Sequence, residues 1–466
     1  MKQQKPTLKS TFEQAVAAAR MLAGEGAAPC IAVALSGGLD SSALLHLAHA
    51  YAQQHELALC AFHIHHGISP NADAWLAHCG QQCAALNISF EARRIQLQDQ
   101  KKTGTEAAAR KARYAALGAL CHEHKVQLLL TAHHQDDQAE TVLLQLLRGS
   151  GPAGLSGMDA ANTAAGLLQN EQLVMARPLL QASRKQLEAY AATHGITHIH
   201  DESNDDPRYA RNALRHTVMP ALEQHFPGFQ ERFARSAHHA QSATRLLAEL
   251  AEQDLAATRD GDYLDISKLR ALSQDRAYNL LRHWFATRGV SMPSTAWLAE
   301  MLTQLLEAKH DAQLLVTHPD CHVRRYRDRL HLTPKLDDLD GMREDQFDDK
   351  PGTDFRWNGE AALAFPAYGG VLHFEPAEQG FDPDWLRTQN LLIEFRRGGE
   401  KLKLAPNRST RPVKYHYQAL NIPAWERGRL PVVKRPGQLL FAAGIGMDCH
   451  HVSNGSGRIR LRWQAV

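Results

Sequence analysis

Residues 36–42, Ser-Gly-Gly-Leu-Asp-Ser-Ser, put three hydroxyls, two glycines and one carboxylate within seven positions. That set suits a polyphosphate. Glycines let backbone N–H groups approach phosphate oxygens, Ser36, Ser41 and Ser42 add donors, and Asp40 can hold Mg²⁺ against the phosphates. No lysine follows the glycines, so the loop is not the G-x-x-x-x-G-K-[ST] type. A second set is Thr131-Ala-His133-His134-Gln-Asp136-Asp137-Gln-Ala-Glu140-Thr141. Its carboxylates can serve Mg²⁺ or a cationic substrate, and Asp136 can equally cap a helix. Glu106, Arg110, Arg113 and Tyr114 share one helical stripe, which surface salt links would also explain. Arg148-Gly-Ser-Gly, Asp201-x-Ser203-Asn204 and Arg211-Asn212-x-x-Arg215 put arginines in or near loops, suited to phosphate or base contacts, although an exposed helix face would equally explain Arg211 and Arg215. His63-Ile-His65-His66-Gly67 lacks a cysteine or acid at tetrahedral spacing, which disfavours zinc.

The elements around these groups decide how they converge. Ile31–Leu35 is an apolar strand run, followed by the glycine turn and a helical run that opens on Asp40-Ser41-Ser42. Further strands are expected at Leu57–Ile64, Ile88–Ile95 and Val126–Ala132, alternating with helices at Ser41–Gln53, Asp73–Leu86, Thr105–Glu123 and Asp136–Arg148. This alternation predicts a doubly wound parallel sheet, α/β in class, with residues 36–41, 65–69 and 133–137 meeting beyond the strand ends. Helical periodicity at Phe229–Asp254, Ala277–Thr287 and Trp297–Ala308 predicts an α-rich middle domain, and Leu314–Leu332 alternates as strands do. Asp337–Asp354 reads as an acidic linker or exposed loop, and from about Leu372 short strands and turns predict a small α+β or β domain. The domains are therefore placed at 1–219, 220–335, 336–384 (linker and start of the C-terminal region) and 385–466.

The 466 residues are 44% apolar and 22% charged, with no apolar run of membrane-spanning length and no signal-peptide core at the start. A cytoplasmic protein with no membrane partner is expected. The seven cysteines are scattered and odd in number, as reduced thiols would be, and Cys79-x-x-x-Cys83 has helix-packing spacing. The net charge of +2 hides an asymmetry: residues 335–390 balance at −8, and residues 394–466 at +10. A basic end behind an acidic connector fits a polyanionic partner.

Ser36-Gly37-Gly38-Leu39-Asp40-Ser41 resembles the S-G-G-x-D-S signature of the PP-loop ATP pyrophosphatases. That superfamily cleaves ATP between the α- and β-phosphates, adenylates a substrate oxygen and releases pyrophosphate. The ordered set of motifs is narrower. It comprises S-G-G-L-D-S, H-H-G, T-E-A-A-A-R-x-x-R-Y, A-H-H-x-D-D-Q-A-E-T, R-G-S-G, D-x-S-N and R-N-x-x-R, with Phe395-Arg396-Arg397-Gly-Gly-Glu400-Lys401-Leu402 and Ile422-Pro-Ala-Trp425-x-Arg427 behind them. Together these resemble the tRNA(Ile)-lysidine synthetase family over residues 28–220 and 390–446, with His65 and Ser69 departing from the pattern.

The resemblance implies adenylation of the wobble cytidine in the CAU anticodon of tRNA(Ile), then attack by free L-lysine at C2, with ATP and Mg²⁺ as cofactors. It implies that residues 36–41 bind ATP and that Asp40, Arg113 and Asp137 are catalytic, with Asp40 the Mg²⁺ ligand. Asp137 and Glu140 would hold lysine. Arg148, Arg211, Arg215, Arg396, Arg397, Lys401 and Lys403 would grip tRNA. An assembly of two copies is compatible with it. A tRNA thiolase would need paired reactive cysteines, and an amidotransferase a glutaminase section with a nucleophilic cysteine. Neither is present. A non-catalytic ATP-binding RNA module would not need the carboxylates at 136–140.

Overall fold

The computed structural model of the chain describes residues 7–24, 30–65, 67, 69–95, 105–200, 210–307, 314–335 and 352–465, without the side chains of 105–107. His66, Gly104, the Glu106 side chain, Asp201, Ser203, Asn204 and most of the acidic stretch Asp337–Asp354 lie outside them. Two compact units divide the chain, Met1–Glu249 and Leu250–Val466.

The first unit is built on six strands: β1 Cys30–Ala34, β2 Ala58–His65, β3 Ser89–Arg94, β4 Leu128–Leu130, β5 Ala161–Asn162 and β6 Val174–Ala176. Their order is β3-β2-β1-β4-β6-β5, parallel except for β5 at one edge. The helices are α1 Leu8–Ala23, α2 Leu39–Gln54, α3 Ala72–Ala85, α4 Thr105–Glu123 and α5 Gln135–Leu147, with further helices at Arg184–Thr193 and from Ala210 onward. Period-2 alternation in β1 feeds two cores. Ile31 and Val33 pack with α1, α2 and α3, while Ala32 packs with Tyr114, Leu117 and Leu120 of α4. This is the doubly wound sheet expected from the alternation of elements. After β1 the chain builds outward through β2 and β3, then returns to β4 on β1's other side. Ligands bind beyond the strand ends at such a switch point.

Sequence periodicity located β1–β4 and α2–α5 to within about two residues, while α1, β5, β6 and the helices between Arg148 and Pro220, Arg184–Thr193 among them, lay outside it. Helix α1, capped by Thr7, buries Phe12, Val16 and Ala19. Strands β5 and β6 have two and three residues, too few for a periodic signal.

In the second unit, Arg259–Asp260, Tyr263–Asp265, Leu315–Thr317, Cys321–Tyr326 and Arg329–Pro334 form an antiparallel sheet. It packs on helices Gln274–Thr287 and Thr295–Glu307 through Leu281, Phe285, Leu298 and Met301. The helical middle therefore carries a sheet of its own. Farther on, Thr353–Phe355 pairs with Leu391–Phe395, and Gly370–Phe381 with Val452–Ala465. Asp354, read as the end of a linker, sits exposed on an edge strand. Charge alone does not separate an exposed edge from a connector.

Candidate active site

Gly37 has φ +87, a left-handed conformation that favours glycine, and a Cβ there would lie 2.8 Å from Ile199 Cδ1 and 3.0 Å from Cys79 Sγ. Ile199 N–H donates to Gly37 O at 2.9 Å, fixing the loop from a segment far along the chain. Ser42 Oγ donates to Gln82 Oε1 at 3.2 Å, and Gln82 Nε2 donates to Thr197 O at 2.5 Å. Within the loop, Ser41 Oγ accepts from the N–H groups of Ser36 (3.2 Å) and Gly37 (3.1 Å). Gly38 is the N-cap of α2 and supplies no side-chain cap. The first-turn N–H groups of α2, through Leu39, Asp40 and Ser41, thus end the helix at the loop without a side-chain partner, an anion-binding arrangement.

Beyond β4, the start of α5 brings a second group of charges to Asp40. His134, 1% exposed, has Nε2 3.5 Å from both Asp40 Oδ2 and Asp137 Oδ2, and Nδ1 3.6 Å from Asp136 Oδ2. Burial alone would favour neutral imidazole. The three carboxylates outweigh it and push the ring's pKa up to about 10, so His134 is a cation at neutral pH. Burial likewise opposes charge on Asp136 and Asp137, yet His134 and neighbouring groups hold both below the usual carboxylate range. His133 behaves oppositely. Burial, reinforced by nearby Arg177 and Arg110, lowers it to about 3, and its Nδ1 lies 3.1 Å from Thr131 Oγ1.

Asp136 also accepts from the N–H of Arg184 at 2.9 Å, at the first position of helix Arg184–Thr193. It does not cap its own helix: at the start of α5 the capping carboxylate is Asp137, whose Oδ2 accepts from His134 N–H at 3.0 Å. Asp40 Oδ1 is buried with no hydrogen-bond partner. An orphaned hard oxygen beside an anion-binding helix end fits a Mg²⁺ ligand. Among the described residues no cluster of three or more His, Cys, Asp or Glu forms a metal cage.

Glu140, one turn on and 1% exposed, is held by two arginines. Arg215 Nε donates to Oε1 at 2.7 Å and Nη2 to Oε2 at 3.0 Å, while Arg211 Nε donates to Oε2 at 2.9 Å. Arg215 Nη2 also reaches Asp137 Oδ1 at 3.3 Å. Both arginines belong to one helical run, Ala210–His225, whose middle turn, Leu214–Val218, widens to a π-helix. Such turns recur at functional sites. Asp40, Asp136, Asp137 and Glu140 thus face His134, Arg211 and Arg215, which leaves the cluster one charge short of neutral on the negative side.

Of the residues singled out from sequence, Ser36–Ser41, Asp137, Glu140, Arg211 and Arg215 come together here. Arg113 sits half-buried on α4 with its guanidinium carbon 5.3 Å from the Tyr114 ring centre. Arg148 is the exposed C-cap of α5. In the second unit Arg396 is only 7% exposed, and Arg397 pairs with Glu394 at 3.2 Å. Lys401 is exposed there and Lys403 half-buried. His134 was missed as a site residue. Its signal was the flanking acids at 136 and 137, but its cationic state depends on Asp40, which only the fold brings near. All seven cysteines are free thiols, and Cys79 and Cys83 are buried as expected.

The His134 cation has a consequence for stability. Its folded pKa, about 10, exceeds the ordinary 6.5, so its contribution is full below pH 6.5 and is lost as pH rises toward 10. In metal-free buffer, chemical unfolding of wild type and His134→Asn should differ most near pH 6.5, with the gap closing toward pH 10. A gap independent of pH would contradict a charged His134.

Three family descriptions match the chain: a PP-loop domain over residues 8–222, a TilS substrate binding domain over 264–331 and a TilS substrate C-terminal domain over 391–463. The tRNA(Ile)-lysidine synthase of Alkalilimnicola ehrlichii is 42% identical over 428 residues, 92% of each chain. That of Ralstonia nicotianae is 42% identical over 451 residues, 95% of each chain. The Serratia proteamaculans protein of the same name is 40% identical over 446 residues, covering 94% of this chain and 96% of that one.

Proposed function

Because the chain belongs to the tRNA(Ile)-lysidine synthase family and makes lysidine on tRNA(Ile) at the expense of ATP, we propose how its own groups divide the two half-reactions. In the first, O2 of the wobble cytidine in the CAU anticodon attacks the α-phosphorus of ATP, and pyrophosphate leaves. The Ser36–Ser41 loop and the N-terminus of α2 bind the β- and γ-phosphates, where charge accumulates on the leaving group. Mg²⁺ on Asp40 supplies neutralisation of that charge when bound. Arg113 offsets charge on cytosine O2 and the adenylate.

In the second half-reaction the ε-amine of L-lysine attacks C2, the C2–O2 bond breaks, and AMP leaves with the oxygen. Asp137 and Glu140 hold the incoming ammonium. Asp137, already below the usual carboxylate range, serves as an ion partner before it serves as a proton acceptor. Glu140 is engaged with Arg211 and Arg215, so lysine reaches it by exchanging with an arginine. The released guanidinium can then take an anticodon-loop phosphate, which links lysine entry to tRNA positioning. Arg148 contacts the same loop. The observation that carries this reading is the meeting of Asp40, from the phosphate loop, with the carboxylates of α5 around His134.

Incubation with tRNA and α-labelled ATP but no lysine tests the order of steps. Label should join the tRNA as pyrophosphate is released, and free lysine should discharge it as AMP. Pyrophosphate release that strictly requires lysine would overturn the order.

Residues 1–219 are assigned to adenylation, 220–335 to substrate binding, 336–384 to a linker and the start of the C-terminal region, and 385–466 to gripping tRNA through Arg396, Arg397, Lys401 and Lys403. Lys401→Ala/Lys403→Ala should lower the slope of log affinity against log salt by about 2, at roughly 0.9 per phosphate contact, without changing the ATP requirement. An unchanged slope removes both lysines from the interface. Among the described residues no helix is long and apolar enough to cross a membrane. Reduced thiols and a tRNA substrate fit a cytoplasmic enzyme. A homodimer would leave this chemistry intact, since every group named lies in one chain.

A further inference from the structure

A base modified inside a folded loop must be splayed from its neighbours, and its neighbours then need stacking partners. The ring in the cluster above, the His134 imidazole, is buried among carboxylates and offers no face to a base. One exposed aromatic stands on the element that carries Arg211 and Arg215. Phe226 ends the helical run Ala210–His225 and is 59% exposed. It lines a groove of about 350 Å³ with Leu222, Phe229, Arg232, Phe233 and Ser236.

The exposure is held in place by the turn. Arg232 Nη2 donates to Phe226 O at 3.0 Å and Pro227 O at 2.9 Å, and Gly228 N–H, at φ +72, donates to Glu223 Oε2 at 3.2 Å. Phe229 and Phe233 meet edge to face, with centroids 5.4 Å apart. Phe229 and Met219 also bury Ala139, the residue before Glu140. Phe229, which lines the groove, therefore also packs on the active-site helix. Eleven residues separate Arg215 from Phe226, about 16 Å along a helix at 1.5 Å per residue. A few stacked nucleotides span that distance at about 3.4 Å each.

We propose that the Phe226 groove is a stacking site for an unpaired base of the tRNA anticodon loop other than the modified cytidine. Phe226 offers its ring face, and the exposed Arg232 faces the adjoining phosphate. The groove is at the small end of ligand sites, too small to seat a partner helix, and a single ring with a cation beside it suits a base rather than an extended apolar partner. The assignment rests on the tRNA reaction described above.

The test combines steady-state kinetics with a fluorescent purine analogue placed in turn at each anticodon-loop position of a tRNA(Ile) transcript. Phe226→Ala and Phe226→Leu should each raise KM for tRNA about tenfold, leave KM for ATP unchanged and abolish fluorescence quenching at one position, while Phe226→Trp retains both. An unchanged KM for tRNA in Phe226→Ala overturns the proposal. So does a Leu variant equal to Trp, which would mark mere apolar cover, or a dimer that Phe226→Ala dissociates in sedimentation. Wild-type lysidine formation in the same tubes separates the outcomes: if it is present, only the stacking assignment has failed, and if it is absent, the reaction itself has.

Discussion

Asp40→Ala is expected to lower tRNA-dependent pyrophosphate release about 10³-fold while leaving affinity for tRNA(Ile) within about twofold. The carboxylate stands in the first turn of α2, where it meets the phosphates, and its buried Oδ1 has no protein partner to lose. Its other oxygen lies 3.5 Å from His134, so the substitution also removes one of three carboxylates around a buried cation. Asp40→Asn separates the effects. The amide keeps the shape and a carbonyl oxygen but not the charge, so it should remain nearly as inactive as alanine if the charge acts on phosphate, and recover substantially if the loss came from packing. Equal collapse of tRNA affinity and pyrophosphate release would move Asp40 out of the ATP site.

Glu140→Gln is expected to raise KM for lysine about 100-fold, with adenylation in the absence of lysine reduced less than threefold. The glutamine would present an amide NH₂ to a guanidinium and leave Arg211 and Arg215 facing each other without their shared anion. Breaking a buried ion pair from one side costs about 3 kcal/mol, so a lower melting temperature should accompany the kinetic change. Stability and KM can be separated by adding Arg211→Gln. Removing one guanidinium should restore most of the stability without restoring lysine affinity. A variant with normal lysine KM and no adenylation would place Glu140 in the first half-reaction instead.

Local features were the most legible in the sequence. A strand, a glycine turn and a helix start are encoded within fifteen residues, so the phosphate loop and the start of α5 fell where their spacing put them. Contacts between distant segments were not. Ile199 beneath Gly37 explains why that glycine is required, yet nothing at residue 37 points to residue 199. The four-residue spacing of Arg211 and Arg215 told only that they share a helix face, which an exposed salt-linked surface would also satisfy. Burial of Glu140 decides which face, and the π-turn Leu214–Val218 carries Arg215 to it. The charge of His134 was hidden for the same reason, since its partners come from α2 and α5 together. In the second unit, Thr353–Phe355 becomes a strand only because Leu391–Phe395 is there to pair with it.

The most direct measurement is nucleoside mass analysis of a tRNA(Ile) transcript with a CAU anticodon after incubation with the protein, ATP, Mg²⁺ and L-lysine. The wobble cytidine should gain one lysine less one water, with AMP and pyrophosphate formed one to one with the modified base. An unmodified cytidine, or ATP consumed to ADP and phosphate, would contradict it.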